Sequence, residues 1–561
     1  MTDRVWLKEY QAGVPADADV TAYASIGAIL KQTCARFRDQ PAFTNLGTAI
    51  TFAELDGRSH AFGAWLQITA GLKRGDRVAI MMPNCLQYPI ALFGALRAGA
   101  TIVNVNPLYK ARELEHQLKD SGATVIVILE NFAHTLAEVL PRTQVKTVIT
   151  TQLGDLLKFP KSLLVNLVVR YVKKMIPPWQ IAGTVSFADV LSRGAAQPLA
   201  EPDVGPNDIA FLQYTGGTTG VAKGAVLTHG NMVANMQQAH AWLAPALSEG
   251  TEQVITALPL YHIFALTANC LVFMKIGALN ILITNPRDMP NFVKELKSQP
   301  WSVITGVNTL FNGLLNTPGF DTIDFSRLRI ALGGGMAVQR AVAERWKKVT
   351  GKPLIEAYGL TETSPAACIN PLTNTDYNGS IGLPIPSTYV SIRDDENREL
   401  PRREPGMEQA ACVGELCIKG PQVMRGYYNR PDETAVQMTA DGWLRTGDMG
   451  YMDARGYVFI VDRKKDMILV SGFNVYPNEV EDVAVMHPGV LEAAAIGVPD
   501  EHSGEIVKLV VVKKDPKLTA EDVIAHCRKE LTAYKVPKVV EFRTELPKTP
   551  VGKILRRALR E

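Results

Sequence analysis

The chain has 561 residues, of which 47% are hydrophobic and 20% charged, so neither a disordered chain nor a fibre is expected. Its 59 Lys and Arg residues and 56 Asp and Glu residues leave a net charge of +3, without the basic excess typical of nucleic-acid-binding proteins. The 7 cysteines are scattered and lack zinc-ligand spacing. We therefore expect free thiols in a reducing compartment and no nucleic-acid partner.

Two long uncharged runs, residues 78–96 and 254–274, raise the question of a membrane span. Each run contains proline and polar residues near its middle, where lipid would leave backbone groups unpaired. Buried strand–loop–helix segments are therefore expected at both places. The first residues lack the apolar core of a signal peptide, and we expect a cytoplasmic protein.

Short β-branched runs alternate with helical patterns over the first two-thirds of the chain. The alternation is clearest at residues 112–120, 125–129, 133–140, 278–283, 291–298 and 303–305. Strands that alternate with helices predict parallel sheets covered on both faces. The predicted fold is thus α/β, with a large N-terminal domain of parallel or mixed sheets flanked by helices.

From about Gly382 the pattern changes to shorter strands and turns, and we expect a small β-barrel-like subdomain there. The charged patch at residues 462–466 predicts a domain boundary, which gives domains of residues 1–464 and 465–561.

The last domain is predicted to be a small α+β unit. A helix is expected from Asn478 to His487, followed by strands at residues 490–498 and 506–512. Thr519 begins a capping-box pattern for a further helix through Leu531.

The segment 156–179 combines an apolar helical face with flanking lysines and arginine. Helices of this kind lie on anionic membrane surfaces. A surface helix packed on the sheet, with solvated lysines, has the same pattern. The sequence leaves both interpretations open, and peripheral contact with the inner face of the cytoplasmic membrane is one of them.

The residues of segment 214–224 are suited to binding phosphate, and the segment follows an apolar strand at 209–212. Glycines let backbone N–H groups converge on phosphate oxygens, threonines add hydroxyl donors, and a lysine adds positive charge. No Ser or Thr follows the lysine, which disfavours a P-loop NTPase. The candidate nucleotide-binding residues are Tyr214, Thr215, Gly216, Gly217, Thr218, Thr219, Gly220 and Lys223.

This segment resembles the phosphate loop of the adenylate-forming enzymes, which comprise acyl-CoA ligases, luciferases and peptide-synthetase adenylation domains. The family loop reads YTSGTTGxPKG, and here Gly216 replaces the serine and Ala222 replaces the proline. The first replacement removes one hydroxyl donor to phosphate, whereas the backbone contacts can persist.

Further motifs follow in the order of that family. They read PLYHIF (259–264), GGG (333–335), EAYGLTE (356–362), WLRTGD (443–448), VDRKKD (461–466) and PKTPVGKI (547–554). Residues 441–465 resemble the segment characteristic of fatty acyl-CoA ligases, and the whole chain resembles the bacterial long-chain fatty acid–CoA ligases.

The resemblance implies ATP, CoA and a long-chain fatty acid as substrates, Mg²⁺ as cofactor, and a role for each motif residue. His262 is expected near the acyl carboxylate, and Thr361 at a phosphate. The residues expected at the nucleotide are Gly334 and Gly335 near the base, Tyr358 stacked on adenine, Asp448 on the ribose and Arg463 beside it. Glu362 and Thr218 are expected to hold Mg²⁺, and Lys553 is the expected catalytic lysine.

The same resemblance implies that the C-terminal domain rotates about Lys465 between two half-reactions and presents Ser471 and Gly472 to CoA. It also implies a homodimer and a product that feeds β-oxidation. Two alternatives stay open. One is a CoA or acyl-AMP ligase for medium-chain or aryl acids. The other is a membrane-docked fatty-acid binding or uptake protein with a vestigial nucleotide site.

Overall fold

The computed structural model describes residues 3–215, 222–471, 473–500, 502–549 and 552–560. Its strands in chain order are β1 (Pro41–Asn45), β2 (Thr48–Thr51), β3 (Arg77–Met81), β4 (Thr101–Asn104), β5 (Val125–Leu129), β6 (Thr147–Thr151), β7 (Val185–Ser186), β8 (Ile209–Thr215), β9 (Lys223–Thr228), β10 (Gln253–Thr256), β11 (Leu279–Leu282), β12 (Val303–Gly306), β13 (Ile330–Gly334), β14 (Leu354–Gly359), β15 (Ala366–Ile369), β16 (Leu383–Pro384), β17 (Tyr389–Arg393), β18 (Gly414–Lys419), β19 (Leu444–Met452), β20 (Val458–Arg463), β21 (Ile468–Val470), β22 (Phe473–Val475), β23 (Val490–Asp500), β24 (Gly504–Lys513) and β25 (Val539–Arg543). Its α-helices are α1 (Ile26–Arg36), α2 (Phe52–Ile68), α3 (Gln87–Arg97), α4 (Ala111–Ser121), α5 (Ala133–Val139), α6 (Lys161–Leu167), α7 (Phe187–Gly194), α8 (His229–Leu243), α9 (Met289–Ser298), α10 (Asn308–Leu315), α11 (Arg340–Thr350), α12 (Pro431–Gln437), α13 (Pro477–Val485), α14 (Ala520–Glu530) and α15 (Arg557–Arg560).

Two large sheets of mainly parallel strands form the N-terminal part. One has the order β7-β6-β5-β3-β4-β8-β9, and the other has the order β16-β15-β14-β13-β12-β10-β11-β1-β2. All five residues of β5 are buried, as a parallel strand covered on both faces requires. The α/β fold with parallel and mixed sheets is confirmed.

Both long uncharged runs are buried inside this fold. Residues 78–96 form most of β3 and α3, and in α3 only Arg97 lacks full burial. Residues 254–274 form β10 and a π-helical segment, Ala265–Phe273, that is almost wholly buried. In the described part of the chain, no helix is long and apolar enough to cross a membrane.

A smaller antiparallel sheet, β17-β18-β19-β20, follows the two large ones. Its edge strands β17 and β20 pair along their length with one inner neighbour each, and Val458 on β20 forms an isolated bridge with Gly382. The pairing of β19 with the edge strand β20 sets Asp448 directly opposite Arg463. This register brings two of the predicted nucleotide-binding residues together.

The C-terminal part contains the sheet β22-β21-β24-β23, with β25 added beside β24. It has a hydrophobic cluster of its own, which includes Val480, Leu509 and Val523. The capping box at the start of α14 is confirmed, because Thr519 accepts a hydrogen bond from the Asp522 amide and Asp522 accepts one from the Thr519 amide. The domain boundary at residues 464 and 465 stays a prediction.

Buried polar side chains hold the two large sheets together where their strands end. The Asn84 side-chain amide, 2% exposed, donates to the carbonyls of Thr256 and Leu258, each at 2.9 Å. Its carbonyl accepts from the Leu260 amide at 2.8 Å. Asn84, in the loop after β3, thus satisfies three backbone groups at and just beyond the end of β10. These bonds fix the start of the 259–264 motif.

Asn84→Ala is expected to lower the free energy of unfolding by about 2–4 kcal/mol, because three buried backbone groups lose their partner. Urea unfolding followed by tryptophan fluorescence measures the change. Asn285→Ala is the matched control, since Asn285 is exposed, and it should change the value by less than about 0.5 kcal/mol. Equal effects of the two substitutions would contradict this account of the sheet junction.

Candidate functional site

The predicted glycine motif, residues 333–335, lies at the end of β13 and is called the glycine wall below. A Cβ on Gly334 would lie 3.0 Å from the carbonyl oxygen of Ala357 and 3.2 Å from the Phe264 ring. Gly335 has φ +77°, a conformation that side chains other than glycine rarely adopt. Close packing against Ala357 and Phe264 and the backbone conformation therefore favour glycine at these two positions, and their place near the base stays a prediction.

Tyr358, Asp448 and Arg463 form one connected group. The Tyr358 hydroxyl donates to Oδ2 of Asp448 at 2.5 Å, and Nε of Arg463 lies 3.3 Å from Oδ1. Burial and the Asp448 carboxylate raise the pKa of Tyr358, so this hydroxyl keeps its proton. Although burial opposes it, Asp448 also raises the pKa of Arg463. The structure brings together three residues that are far apart in sequence.

Glu362 lies in a short 3₁₀ turn, Thr361–Thr363, directly after β14. Its Oε1 accepts a hydrogen bond from the Tyr427 hydroxyl at 2.7 Å. Among the described residues no other side chain donates a hydrogen bond to this carboxylate. Sequence reasoning missed Tyr427, whose only signal is an aromatic residue after Gly426 in a loop.

Lys223 and Tyr214 lie at the two ends of the predicted phosphate loop. The Lys223 ammonium forms an ion pair with Glu433 and lies 5.2 Å from the centre of the Tyr427 ring. The Tyr214 hydroxyl donates to Asp120 at 2.7 Å. Thr215 ends β8 and is partly buried. The other predicted loop residues lie outside the described residues: Gly216, Gly217, Thr218, Thr219 and Gly220.

Hydrogen bonds to the 259–264 motif position His262. The Gln213 side chain donates to the carbonyl of Tyr261 at 2.7 Å, and the Phe264 amide donates to Nδ1 of His262 at 3.3 Å. Burial, with a smaller contribution from Lys553, lowers the pKa of His262 to about 3. The imidazole is therefore neutral at physiological pH and can take part only as a hydrogen-bonding group in its resting state.

Lys553 reaches the large domain from the C-terminal part of the chain. A Cβ built on Gly335 would lie 3.5 Å from Cε of Lys553 and 3.9 Å from Nζ. Burial, and then the charge of Arg463, lower the pKa of Lys553 to about 8, while Asp448 and Glu362 act in the opposite direction. The predicted catalytic lysine thus shares its electrostatic environment with the predicted nucleotide and metal residues.

The remaining predicted residues lie at the edge of the group around Asp448 and Lys553 or outside that group. Thr361 is the neighbour of Glu362 in the 3₁₀ turn. Lys465 lies in the turn between β20 and β21, where burial and Arg463 lower its pKa. The Ser471 amide donates to the Ser503 carbonyl at 2.7 Å. In the described residues no hydrogen bond or ion pair joins Ser471 to the group around Asp448, and Gly472 lies outside the described residues.

The residues present fit a magnesium ion held mainly by substrate. In the described part of the chain, no three His, Cys, Asp or Glu side chains are close enough to form a metal site of their own. Mg²⁺ usually takes one or two protein carboxylates and completes its coordination with phosphate oxygens and water. A single oriented carboxylate, Glu362, beside a phosphate loop meets that requirement.

Comparisons with known proteins agree with this geometry. A family model described as AMP-binding enzyme matches residues 30–428, and one described as AMP-binding enzyme C-terminal domain matches residues 479–553. Long-chain-fatty-acid–CoA ligases of Yersinia pestis and Escherichia coli O6:H1 are 58% and 57% identical to this chain, covering 100% of it and 98% of each relative.

A solved structure of an anthranilate CoA ligase in complex with anthranoyl-AMP superposes with a TM-score of 0.84 at 25% identity, covering 96% of this chain and 97% of that one. The likeness therefore extends over both the large and the small domain. The chain belongs to the AMP-binding enzymes, in the family of the long-chain-fatty-acid–CoA ligases.

Proposed function

We propose that this enzyme converts a long-chain fatty acid, ATP and CoA into acyl-CoA, AMP and pyrophosphate through an acyl-adenylate. The observation that carries the proposal is the position of Lys553, a residue of the small domain, next to Gly335 of the large domain, where the charges of Arg463 and Asp448 act on it. The full-length identity to long-chain-fatty-acid–CoA ligases supports the substrate class.

In the first half-reaction an oxygen of the fatty carboxylate attacks the α-phosphorus of ATP, and the bond to pyrophosphate breaks. The chain's task is to position the reactants and to offset the charge that builds on the phosphate oxygens. The Lys553 ammonium and the Arg463 guanidinium supply positive charge at the α-phosphate. Asp448 accepts hydrogen bonds from the ribose hydroxyls, and Tyr358 holds that carboxylate in place.

Mg²⁺ is part of the proposal, with Glu362 and Thr218 as its protein ligands. When bound, the ion offsets phosphate charge. Tyr427 orients the Glu362 carboxylate through Oε1, and Oε2 would then be the oxygen that binds the ion. Lys223 lies against the same tyrosine ring, so the metal ligand and the end of the phosphate loop are linked through one aromatic side chain.

In the second half-reaction the CoA thiolate attacks the acyl carbonyl, and AMP leaves. We propose that the C-terminal domain, residues 465–561, rotates about Lys465 between the two steps, so that Lys553 leaves and the surface with Ser471 and Gly472 approaches CoA. Neutral His262 lies near the acyl carboxylate and can donate or accept one hydrogen bond there. A homodimer and entry of the product into β-oxidation remain expectations from the family.

The products formed from fatty acids of C6 to C18 and from aryl acids, with ATP, Mg²⁺ and CoA, test the assignment. We expect acyl-CoA by mass spectrometry, with the highest kcat/KM for C12–C18 acids. Higher kcat/KM for anthranilate or another aryl acid would favour the aryl-CoA ligase alternative. A protein that binds fatty acid yet makes no adenylate or thioester would favour the vestigial-site alternative.

The rate of adenylate formation should fall as the pH rises through about 8, because Lys553 acts as an ammonium and loses its proton there. The fall is expected in the first-turnover rate of pyrophosphate release at subsaturating ATP, measured by rapid quench without CoA. In Lys553→Arg the cation stays protonated, so the remaining activity should lack this alkaline decline. An identical decline in both proteins would remove Lys553 as its source.

We also propose that the enzyme contacts an anionic lipid surface through an apolar strip on and around α6. The strip consists of exposed side chains: Phe159, Leu163, Leu164, Leu167, Val168, Tyr171, Val172 and Met175. Phe159 is 82% exposed and Val172 is 70% exposed. The cations beside it are Lys158, Lys161, Arg170, Lys173 and Lys174. An apolar strip edged by cations matches a negatively charged membrane, which also holds the acyl substrate.

Leu164→Glu with Val172→Glu should reduce co-sedimentation with phosphatidylglycerol-containing vesicles by at least about 10-fold, because charge on the apolar strip opposes insertion. Val436→Glu is the matched control, since Val436 is 75% exposed on α12, and it should bind like the parent protein. Equal binding of all three proteins would contradict the membrane proposal and leave the ligase reaction unaffected.

A further inference from the structure

Helix α10 of the large domain carries two polar side chains that contact the small domain. The Thr309 hydroxyl donates to the carbonyl of Gly552 at 3.0 Å. The Asn312 side-chain amide donates to the carbonyl of Leu491 at 3.2 Å. Residues three apart lie on one face of a helix, so both contacts come from the same edge of α10.

The Thr309 contact acts directly on the backbone that carries Lys553. Gly552 has φ +86°, and a Cβ there would lie 2.8 Å from the Thr309 hydroxyl oxygen. The loop is closed on itself, because the Lys553 amide donates to the Thr549 hydroxyl at 3.0 Å and the Thr549 amide donates to the Lys553 carbonyl at 2.7 Å. Thr309 therefore holds the residue directly before Lys553, and Thr549 is tied to Lys553 in turn.

The position of α10 is itself tied to the wall of the nucleotide site. The Asn308 side chain donates to the Gln339 side chain at 2.9 Å and accepts from the Gln339 amide at 3.0 Å. A Cβ on Gly335 would lie 3.6 Å from the side chain of Val307. The N-terminal end of α10 is thus held against the glycine wall. Because the lysine loop contacts α10, its position relative to the nucleotide-binding residues is set as well.

The strength of these two hydrogen bonds suits a small domain that must also rotate away from the large domain. Both are hydrogen bonds between uncharged groups, and both donors are on partly exposed residues that water reaches once the domains separate. Each such bond shifts an equilibrium by about 2- to 12-fold, because water replaces most of its energy. Two of them favour one orientation of the small domain by a modest factor. Next to the predicted hinge, Arg556 of the small domain also pairs with Asp462 of the large domain at 3.5 Å.

We propose that Thr309 and Asn312 are positioning residues that hold the small domain in the adenylate-forming orientation. Thr309 acts on the lysine loop through Gly552, whereas Asn312 acts on the body of the small domain through Leu491 on β23. The inference rests on the proposed function, since it assigns these residues to the first of the two half-reactions.

Half-reaction rates separate this role from a general structural one. Thr309→Val removes the hydroxyl at constant shape and should slow pyrophosphate release without CoA by about 2- to 12-fold. Addition of Asn312→Ala should slow it further by a similar factor. Thioester formation from supplied acyl-adenylate and CoA should stay at the parent rate or rise. Thr309→Ser, which keeps the hydroxyl, should restore adenylate formation.

Thr317→Val is the matched control, because the Thr317 hydroxyl donates to Gly313 within its own segment at 2.8 Å. It should leave both half-reactions unchanged. Equal loss of both half-reactions in Thr309→Val, or no change in adenylate formation in the double variant, would overturn the proposal. A parent enzyme that releases no pyrophosphate with any fatty acid would instead contradict the proposed function.

Domain orientation gives a readout that does not depend on turnover. The seven native cysteines are all buried, so dyes can be directed to Lys348→Cys on α11 and Lys529→Cys on α14, both of which are exposed positions. Energy transfer between the dyes should show a smaller docked population in the Thr309→Val, Asn312→Ala protein than in the parent. Identical distributions in the two proteins would overturn the proposal.

Discussion

The ion pair between Asp448 and Arg463 is the interaction on which the rest of the site depends. It spans two neighbouring antiparallel strands, and it fixes a carboxylate that also accepts the Tyr358 hydroxyl. The guanidinium lies close enough to Lys553 to lower its pKa. Two cations are thus held near each other before the nucleotide arrives, and a bound triphosphate relieves their repulsion. The site is arranged for a polyanion.

A second constraint is that the lysine comes from a domain with its own hydrophobic core. The large domain holds the glycine wall and the carboxylates that we propose for ribose and metal binding, whereas the small domain supplies one ammonium. Contacts between the two must therefore be specific enough to place Nζ and weak enough to break. The uncharged hydrogen bonds from α10 have that character. Buried ion pairs at the same places would be harder to release.

Much of the scaffold could be predicted, because the signals for helices and strands lie within short segments of the sequence. The run 125–129 and the capping box at Thr519 were placed correctly from periodicity and side-chain type alone. The buried strand–loop–helix segments also followed from local features, namely proline and polar residues within apolar runs. The ends of elements were placed less accurately: the helix expected from Asn478 to His487 spans Pro477–Val485.

The site was only partly predictable, because its contacts join residues that no local pattern connects. Family resemblance singled out Lys553 over Lys548, and the structure shows why the two differ: Lys548 pairs with Glu492 in its own domain, 2.7 Å apart. Tyr427 and Thr309 belong to no motif used in the prediction. Their roles follow from contacts made on folding: Tyr427 donates a hydrogen bond to Glu362, and Thr309 donates one to Gly552.

The most direct test of the account is the time course of pyrophosphate release in the first turnover, measured by rapid quench with enzyme, Mg·ATP and a C16 fatty acid. Without CoA the account predicts a burst of one pyrophosphate per active site, followed by slow release, because the acyl-adenylate stays bound. Addition of CoA should convert the burst into steady turnover. A complete requirement for CoA before any pyrophosphate appears would contradict the acyl-adenylate intermediate and the two-orientation scheme built on it.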